Sequence, residues 1–135
     1  MSERLWRIAL LIHGGGHVML SRRHIRLDQV YRLVDHGIIP VSIDYRLCPE
    51  IDITDGPLCD LRDALKWARD RLPQLRLKHQ SIALDGDRVG VIGRSSEGTL
   101  ALLLGQTVDI SETPPPEAIM TFYCPTDYED GCKSN

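Results

Sequence analysis

The stretch Arg88-Val89-Gly90-Val91-Ile92-Gly93-Arg94-Ser95-Ser96-Glu97-Gly98 joins an apolar run to a glycine-flanked turn. Its run Arg88–Ile92 is continuous rather than alternating, which is typical of a strand buried on both faces of a parallel sheet. A helical pattern over Ser96–Val108 follows at once, with Glu97 in the first turn, where the helix dipole favours an anion. The stretch therefore predicts a strand, a sharp turn and a helix in immediate succession.

Three more apolar runs and two more helical patterns lie on either side of this stretch. The runs are Arg7–Ile12, Ile38–Ile43 and Ala118–Tyr123, and the helical patterns are Ile25–Asp35 and Leu61–Leu72. This alternation predicts an α/β fold, with a mostly parallel sheet flanked by helices in a three-layer sandwich. We expect a surface loop with a short helical piece over Pro73–Gly86 and no regular element after Pro125.

Length, composition and charge exclude several classes of protein. The 135 residues predict one domain, 1–135, and 42% hydrophobic with 26% charged residues is an ordinary globular mixture rather than a disordered one. The net charge of −3 comes with no basic stripe, so we expect no nucleic-acid partner.

The N-terminal run offers no export signal and no membrane span. Ile8–Ile12 is five residues long and follows charged residues, too short for either role. We therefore expect a cytoplasmic protein without a membrane partner. The four cysteines are then expected to be reduced thiols rather than disulfides: Cys48, Cys59, Cys124 and Cys132.

The turn after Arg88–Ile92 carries a candidate nucleophile. A serine on a sharp strand-to-helix turn has its hydroxyl exposed at the end of the sheet, in the pattern G-x-S-x-G. Ser95 fits this pattern after Gly93, but Glu97 replaces the last glycine and Gly98 comes one place later. The alternative is that Ser95 or Ser96 only caps the helix.

A second motif, His13-Gly14-Gly15-Gly16, directly follows the first predicted strand. Consecutive glycines let backbone amides point at one spot, as an oxyanion hole requires. A flexible turn or a phosphate-binding loop is the alternative. His13 and His17 have the spacing of a zinc pair on a helix, but the glycines make a helix improbable, so we expect no metal. The other histidines are expected at the surface: His24, His36 and His79.

The two motifs occur in the order, and at the strand ends, that an α/β-hydrolase requires. With the strings Asp44–Glu50, Asp60–Trp67 and Gly93–Leu104, the chain resembles the hormone-sensitive-lipase-like α/β-hydrolases of the fold-3 type. Asp44–Glu50 and Phe122–Asp130 further resemble the hydrolase- or thioesterase-like release domain of fungal polyketide synthases. The resemblance implies the strand order second, first, third, fourth run.

This resemblance implies a serine hydrolase of esterase or thioesterase type, without a cofactor, that acts on a small-molecule ester or thioester through an acyl-serine. Ser95 would be the nucleophile, and amides of Gly15, Gly16 and Ser96 would form the oxyanion hole. The structural part of the two motifs would be His13, Gly14, Gly93, Glu97 and Gly98. Asp44 and Arg46 are expected to tie loops together rather than to act in catalysis.

Two features depart from a working enzyme. The triad in this fold runs Ser…Asp/Glu…His, yet no histidine follows Ser95, and the last one is His79. We therefore expect a truncated, partial fold that is weakly active or inactive alone. The Glu97 carboxylate is expected to oppose an oxyanion and to hinder the approach of helix to strand, unless it points into solvent as a first-turn helix residue.

A non-catalytic binding or interaction module derived from this fold is the alternative function. It is favoured by the missing histidine, whereas the intact His13–Gly16 motif favours the enzyme. A phosphate- or nucleotide-binding protein is a weaker alternative, because neither Walker nor dinucleotide glycine spacing occurs. Exposed sheet edges would favour a homo-oligomer.

Overall fold

Four parallel strands form the sheet in the computed structural model, which describes residues 4–75 and 81–126. The strands are β1 (Arg4–Ile12), β2 (Ile38–Ile43), β3 (Ile82–Arg94) and β4 (Ala118–Phe122). Their order in the sheet is β2-β1-β3-β4, and every pairing is parallel. The predicted parallel sheet and its strand order are confirmed.

Helices cover both faces of the sheet, so the predicted three layers are present. They are α1 (Leu27–Asp35), α2 (Cys59–Asp70) and α3 (Ser96–Thr107), with short helical turns at Thr54–Leu58 and Leu72–Gln74. Val30 and Leu33 of α1 pack on one face, and α2 and α3 contribute the larger cluster on the other. The alternating strand-helix pattern therefore gave the layer arrangement correctly.

The core is centred on β1, which lies between two neighbours. Ile8–Ile12 are all buried, because Ile8, Leu10 and Ile12 face α2 and α3 while Ala9 and Leu11 face α1. A strand covered on both faces has no polar side, which explains its unbroken apolar run.

The prediction of a loop over Pro73–Gly86 is wrong at its C-terminal end, since β3 begins at Ile82. Arg4–Trp6 of β1 pairs with Ile82–Leu84, and an irregularity between Trp6 and Ile8 shifts the register. Asp85, Gly86 and Asp87 interrupt the apolar pattern there, so the sequence signal started only at Arg88. The strand extends to Ile82 because Ile82–Leu84 pairs with β1 on the far side of this irregularity, which accommodates the polar residues.

Arg69 of α2 fastens the segment that leads into β4. Its guanidinium donates hydrogen bonds to the carbonyl oxygens of Gly86, Asp87, Pro114 and Pro115. Burial lowers the pKa of Arg69, although nearby carboxylates act in the opposite sense. A strand that starts after three prolines is thus placed by a side chain 45 residues earlier.

Two further observations concern membrane spans and the cysteines. In the described ranges no helix is long and apolar enough to cross a membrane. Cys48, Cys59 and Cys124 are free thiols. Cys132, His79 and the end of the Phe122–Asp130 string lie outside the described residues.

Candidate active site

The two motifs meet at the carboxyl ends of β1 and β3, the central strands of the sheet. These strands are neighbours, with Ile12 opposite Gly93, and their crossovers lead to opposite sides. Open α/β sheets bind ligands at such a point, where the strand order reverses. The fold therefore brings the glycine loop (His13–His17) next to the elbow (Gly93–Gly98).

Ser95 lies on a sharp turn with its side chain exposed. Its φ of 54° and ψ of −137° are unusual for a residue with a side chain, and its amide donates to the Phe122 carbonyl at 3.0 Å. Its hydroxyl makes no capping hydrogen bond to α3, so the helix-cap alternative for Ser95 is wrong. Strain of this kind persists where the surroundings impose it, often at functional sites.

The elbow keeps its close strand-helix approach in spite of Glu97. A Cβ on Gly93 would lie 2.4 Å from the Glu97 carbonyl oxygen, and one on Gly98 would lie 2.4 Å from the Cys124 Cβ. The expectation that Glu97 hinders this approach is therefore wrong. The Glu97 side chain points away from this contact. Gly93 and Gly98, which have no Cβ, leave room for the close approach.

The glycine loop is a tight left-handed turn. Gly15 and Gly16 have φ of +130° and +65°, and His17 follows at 64°. A Cβ on Gly15 would lie 2.3 Å from the Met19 carbonyl oxygen. The chain then bends back, since the Val18 amide donates to the Gly15 carbonyl at 3.2 Å. Glycine at position 15 is thus required both by backbone angle and by space.

His13 and His17 are both buried, but they lie in this loop and not on a helix. The His13 ring stacks on Tyr45 with centroids 4.4 Å apart, and the Tyr45 hydroxyl donates to the His13 carbonyl at 3.0 Å. Among the described residues, no three His, Cys, Asp or Glu side chains gather where they could hold a metal ion.

Ser96 reaches back to the glycine loop. Its hydroxyl oxygen accepts the Gly16 amide hydrogen at 3.0 Å and donates its own proton to Oε2 of Glu97 at 2.7 Å. The expected oxyanion donors were the amides of Gly15, Gly16 and Ser96. One of them, the Gly16 amide, therefore already has an acceptor within the protein.

The Glu97 carboxylate is buried, with none of its residue exposed, so the solvent-facing alternative is wrong. Oε1 accepts the His17 amide at 3.1 Å and the Tyr45 hydroxyl at 2.9 Å, and it lies 3.6 Å from Nδ1 of His17. Burial raises the pKa of Tyr45, and the Glu97 charge adds to that rise. Burial lowers the pKa of His17, while the attraction of Glu97 opposes the shift.

Asp44 and Arg46 tie loops together, as expected. Asp44 accepts from the backbone and guanidinium of Arg22, and Arg46 forms a forked pair with Asp60. Sequence reasoning missed Tyr45, which joins His13 to Glu97. Its signal was its place between these two ion-pairing residues, inside a string that follows β2.

His24, His36 and three acids downstream of Ser95 lie away from the site. His24 and His36 are exposed, as expected. Asp109 and Glu112 follow the C-terminus of α3, and Glu117 precedes β4, where its amide bonds to Val89. A helix of this length carries the chain about 18 Å from Ser95. These acids therefore lie toward the opposite end of the strands, too far away to orient a base for Ser95.

The sequence is similar to a known protein family and to individual fungal proteins. Residues 9–135 match a family model described as the alpha/beta hydrolase fold. The non-reducing polyketide synthase nvfA of Aspergillus novofumigatus is 56% identical over 123 residues, which are 91% of this chain and 6% of that protein. The 5-methylorsellinic acid synthase of Aspergillus terreus is 53% identical over 122 residues, 90% of this chain and 5% of the synthase.

Solved structures agree on the fold. The acetyl ester-xyloside bifunctional hydrolase of Caldicellulosiruptor lactoaceticus superimposes with a TM-score of 0.69 at 25% identity, covering 92% of this chain and 46% of the hydrolase. A thermophilic esterase of Thermogutta terrifontis gives a TM-score of 0.70 at 18% identity, covering 90% of this chain and 44% of the esterase. The chain thus spans less than half the length of these enzymes and a small part of the synthases.

Proposed function

Because this chain belongs to the alpha/beta hydrolase fold family, we propose that it carries the nucleophile half of an ester- or thioester-hydrolysing site, with Ser95 as the attacking residue. The Ser95 hydroxyl oxygen would bond to the carbonyl carbon of the substrate. The bond to the alcohol or thiol would then break, and the leaving group would take up the serine proton. Water would finally release the acid and restore Ser95.

The strained, exposed position of Ser95 is the observation that carries this proposal. The side chain stands at the switch point of the sheet with φ of 54°, and no capping bond to α3 explains the strain. Backbone strain of this kind costs on the order of 1–3 kcal/mol, so its persistence favours a functional reason. A residue serving only the helix would be expected to cap it.

The adjacent glycine loop supplies a reason for acyl chemistry. The amides of Gly15 and Ser96 have no acceptor among the interactions of the described residues. Ser96 follows Ser95 in the chain, and Gly15 lies in the loop at the end of the neighbouring strand β1. Donors aimed at a developing oxyanion contribute about 2.7–4 kcal/mol each. We propose these two amides as the primary donors, with the Gly16 amide available once its Ser96 acceptor turns away.

The relatives favour an acyl thioester as the substrate class. Those at 53–56% identity include non-reducing polyketide synthases, and the similar folds include esterases. Both bond types react through the same tetrahedral intermediate, so one elbow serves either. We propose a thioester-bound acyl group as the natural substrate and simple esters as surrogates.

A non-catalytic binding module is the second candidate function. It rests on the absence of histidine after Ser95 and on the distant position of the downstream acids in the described part of the chain. Without a base the serine hydroxyl stays protonated and attacks slowly. We therefore expect the 135 residues to form an acyl-serine slowly and to turn over poorly.

A fluorophosphonate probe separates the two candidates. The Ser95 oxygen would bond to phosphorus and fluoride would leave, and mass spectrometry would locate the adduct. We expect Ser95 to be modified about tenfold or more faster than Ser111, an exposed serine of the same chain, because oxyanion donors accelerate attack even without a triad.

Two variants serve as controls. Ser95→Ala should lose the adduct, and Ser111→Ala should keep it. Hydrolysis of p-nitrophenyl butyrate should stay close to the rate of Ser95→Ala. Equal labelling of Ser95 and Ser111 would favour the binding module, and fast turnover that depends on Ser95 would reveal a base within the chain.

A further inference from the structure

A carboxylate replaces the last glycine of the elbow and lies wholly inside the protein. Glu97 has no exposed surface, and a buried charge is costly unless hydrogen bonds and opposite charges compensate for it. Solvent cannot supply that compensation here. The compensation must therefore come from the protein groups that contact the Glu97 carboxylate.

Three donors converge on this carboxylate from three parts of the chain. The His17 amide and the Tyr45 hydroxyl donate to Oε1 at 3.1 and 2.9 Å, and the Ser96 hydroxyl donates to Oε2 at 2.7 Å. The Tyr45 hydroxyl oxygen also lies 3.0 Å from the His13 carbonyl oxygen, so its one proton is shared between these two acceptors. Bonds to an ionised acceptor are about twice as strong as neutral ones, so this set is strong for its size.

The same bonds connect the elbow to the glycine loop. Two consecutive amides of the loop, those of Gly16 and His17, donate to side chains of Ser96 and Glu97, each 80 positions later in the chain. Gly16 has φ of +65° and its added Cβ would meet only ordinary contacts, so packing alone does not fix its amide. These two hydrogen bonds hold the amide side of the loop, while the His17 carbonyl accepts a hydrogen bond from the Cys48 amide at 2.7 Å.

We propose that Glu97 is a positioning residue, which holds the glycine loop in place beside the nucleophile Ser95. It binds the His17 amide directly and the Gly16 amide through the Ser96 hydroxyl. The inference deepens the proposed function and depends on it for the catalytic meaning of the loop. It also changes the role expected for Glu97. The carboxylate anchors the two residues that follow the proposed donor Gly15, in addition to opposing the charge that the donors bind.

Amide hydrogen exchange, followed by NMR on the whole 135-residue chain, tests this role. In Glu97→Ala the amides of Gly16 and His17 should exchange at least tenfold faster than in the unaltered protein. Ser96→Ala should speed exchange at Gly16 and leave His17 within about twofold. Glu97→Gln, whose amide oxygen still accepts but carries no charge, should fall between the unaltered protein and Glu97→Ala.

Two controls separate positioning from general loosening. Glu112→Ala removes an exposed carboxylate and should change neither amide. The amides of Leu10 and Val91 in the central strands report global unfolding and should keep their protection in every variant. If Glu97→Ala unfolds the protein, amide exchange in Glu97→Gln and in Ser96→Ala still tests the positioning role.

The fluorophosphonate reaction of the same variants supplies the functional readout. Labelling of Ser95 should slow at least fivefold in Glu97→Ala and recover in part in Glu97→Gln. Unchanged exchange at Gly16 and His17 in the Glu97 variants overturns the positioning role, whatever the labelling shows. Loosened amides with unchanged labelling also overturn it. Absence of Ser95 labelling in the unaltered protein would count against the proposed function, while exchange would still test the hold on the loop.

Discussion

At the scale of single residues, His17 combines a backbone role with a buried, titratable ring. Its amide binds Glu97, its ring Nδ1 lies 3.6 Å from the same carboxylate, and its φ is 64°. Burial lowers the pKa of His17 below its ordinary value of 6.5, and the attraction of Glu97 only partly offsets this. The neutral ring is therefore the form that the folded protein favours.

This shift predicts a dependence of stability on pH. A lowered pKa in the folded state means that the unfolded chain binds the proton more readily. The stability contributed by the neutral ring is complete above pH 6.5 and is lost as pH falls from there through the folded-state pKa. We expect the free energy of unfolding, measured by urea titration between pH 8 and 5, to decrease on that side.

His17→Asn is the variant that isolates this effect, because asparagine tolerates a positive φ and does not titrate. It should flatten the fall in stability below pH 6.5, whatever its stability at pH 8. His36→Asn alters an exposed histidine at the end of α1 and should keep the slope. Identical slopes in His17→Asn and the unaltered protein would exclude His17 as the source.

At the scale of elements, α3 carries the elbow and must pack closely on β4. Two of its glycines face that strand. A Cβ on Gly98 would lie 2.4 Å from the Cys124 Cβ and 3.3 Å from the Thr121 Cβ, whereas one on Gly105 would meet the Ile119 side chain, with Cδ1 at 2.4 Å and Cγ1 at 3.8 Å. The first obstacle is close to the backbone, and the second is the far end of a flexible side chain.

The two glycines therefore predict results of different size for the same substitution. Gly98→Ala should destabilise the protein by about 1–3 kcal/mol, because α3 must shift away from β4. Gly105→Ala should stay within about 1 kcal/mol of the unaltered protein, since the Ile119 side chain can turn and alanine favours the helix. Urea unfolding of both variants measures the difference in the free energy of unfolding. Equal losses of stability would mean that close packing at Gly98 does not position α3 on β4.

At the scale of the whole molecule, the α1 face of the sheet is only partly covered. Val30 and Leu33 of α1 pack over β1 and its neighbours, and a groove of about 610 Å³ lies between α1 and β4. Met120 and Phe122 of β4 border it and are 53% and 37% exposed. In the described part of the chain β4 is also an edge strand, whose backbone groups can pair with another strand.

We expect this edge to bring two copies of the chain together. Static light scattering at rising concentration should give a mean mass above the 15.2 kDa of one chain. Met120→Lys, which puts a charge beside the edge, should lower that mass. Met19→Lys is the matched control, since Met19 is 56% exposed in a loop, and it should not. A constant mass of one chain at all concentrations would contradict the association.

The sequence predicted the sheet more fully than it predicted the contacts within the site. The apolar runs predicted the four strands, and motifs at the ends of two of them predicted where the loop and elbow meet. Both signals are local, because burial on two faces and a sharp turn restrict residue type directly at the positions concerned. The N-terminal part of β3 escaped detection, since Ile82–Leu84 pairs with Arg4–Trp6 but is separated from the apolar run by polar residues at the register shift.

By itself, then, the sequence determined the parallel sheet, its order through the family resemblance, and the pairing of a glycine loop with an exposed serine. Only the tertiary structure decided what Glu97 does. Its sequence position allowed a solvent-facing helix residue or a charge against the oxyanion, but the carboxylate is buried against His17, Tyr45 and Ser96. Those partners come from separate segments of the chain. A hydrogen bond across 80 residues depends on how three loops meet, and no local pattern encodes that meeting.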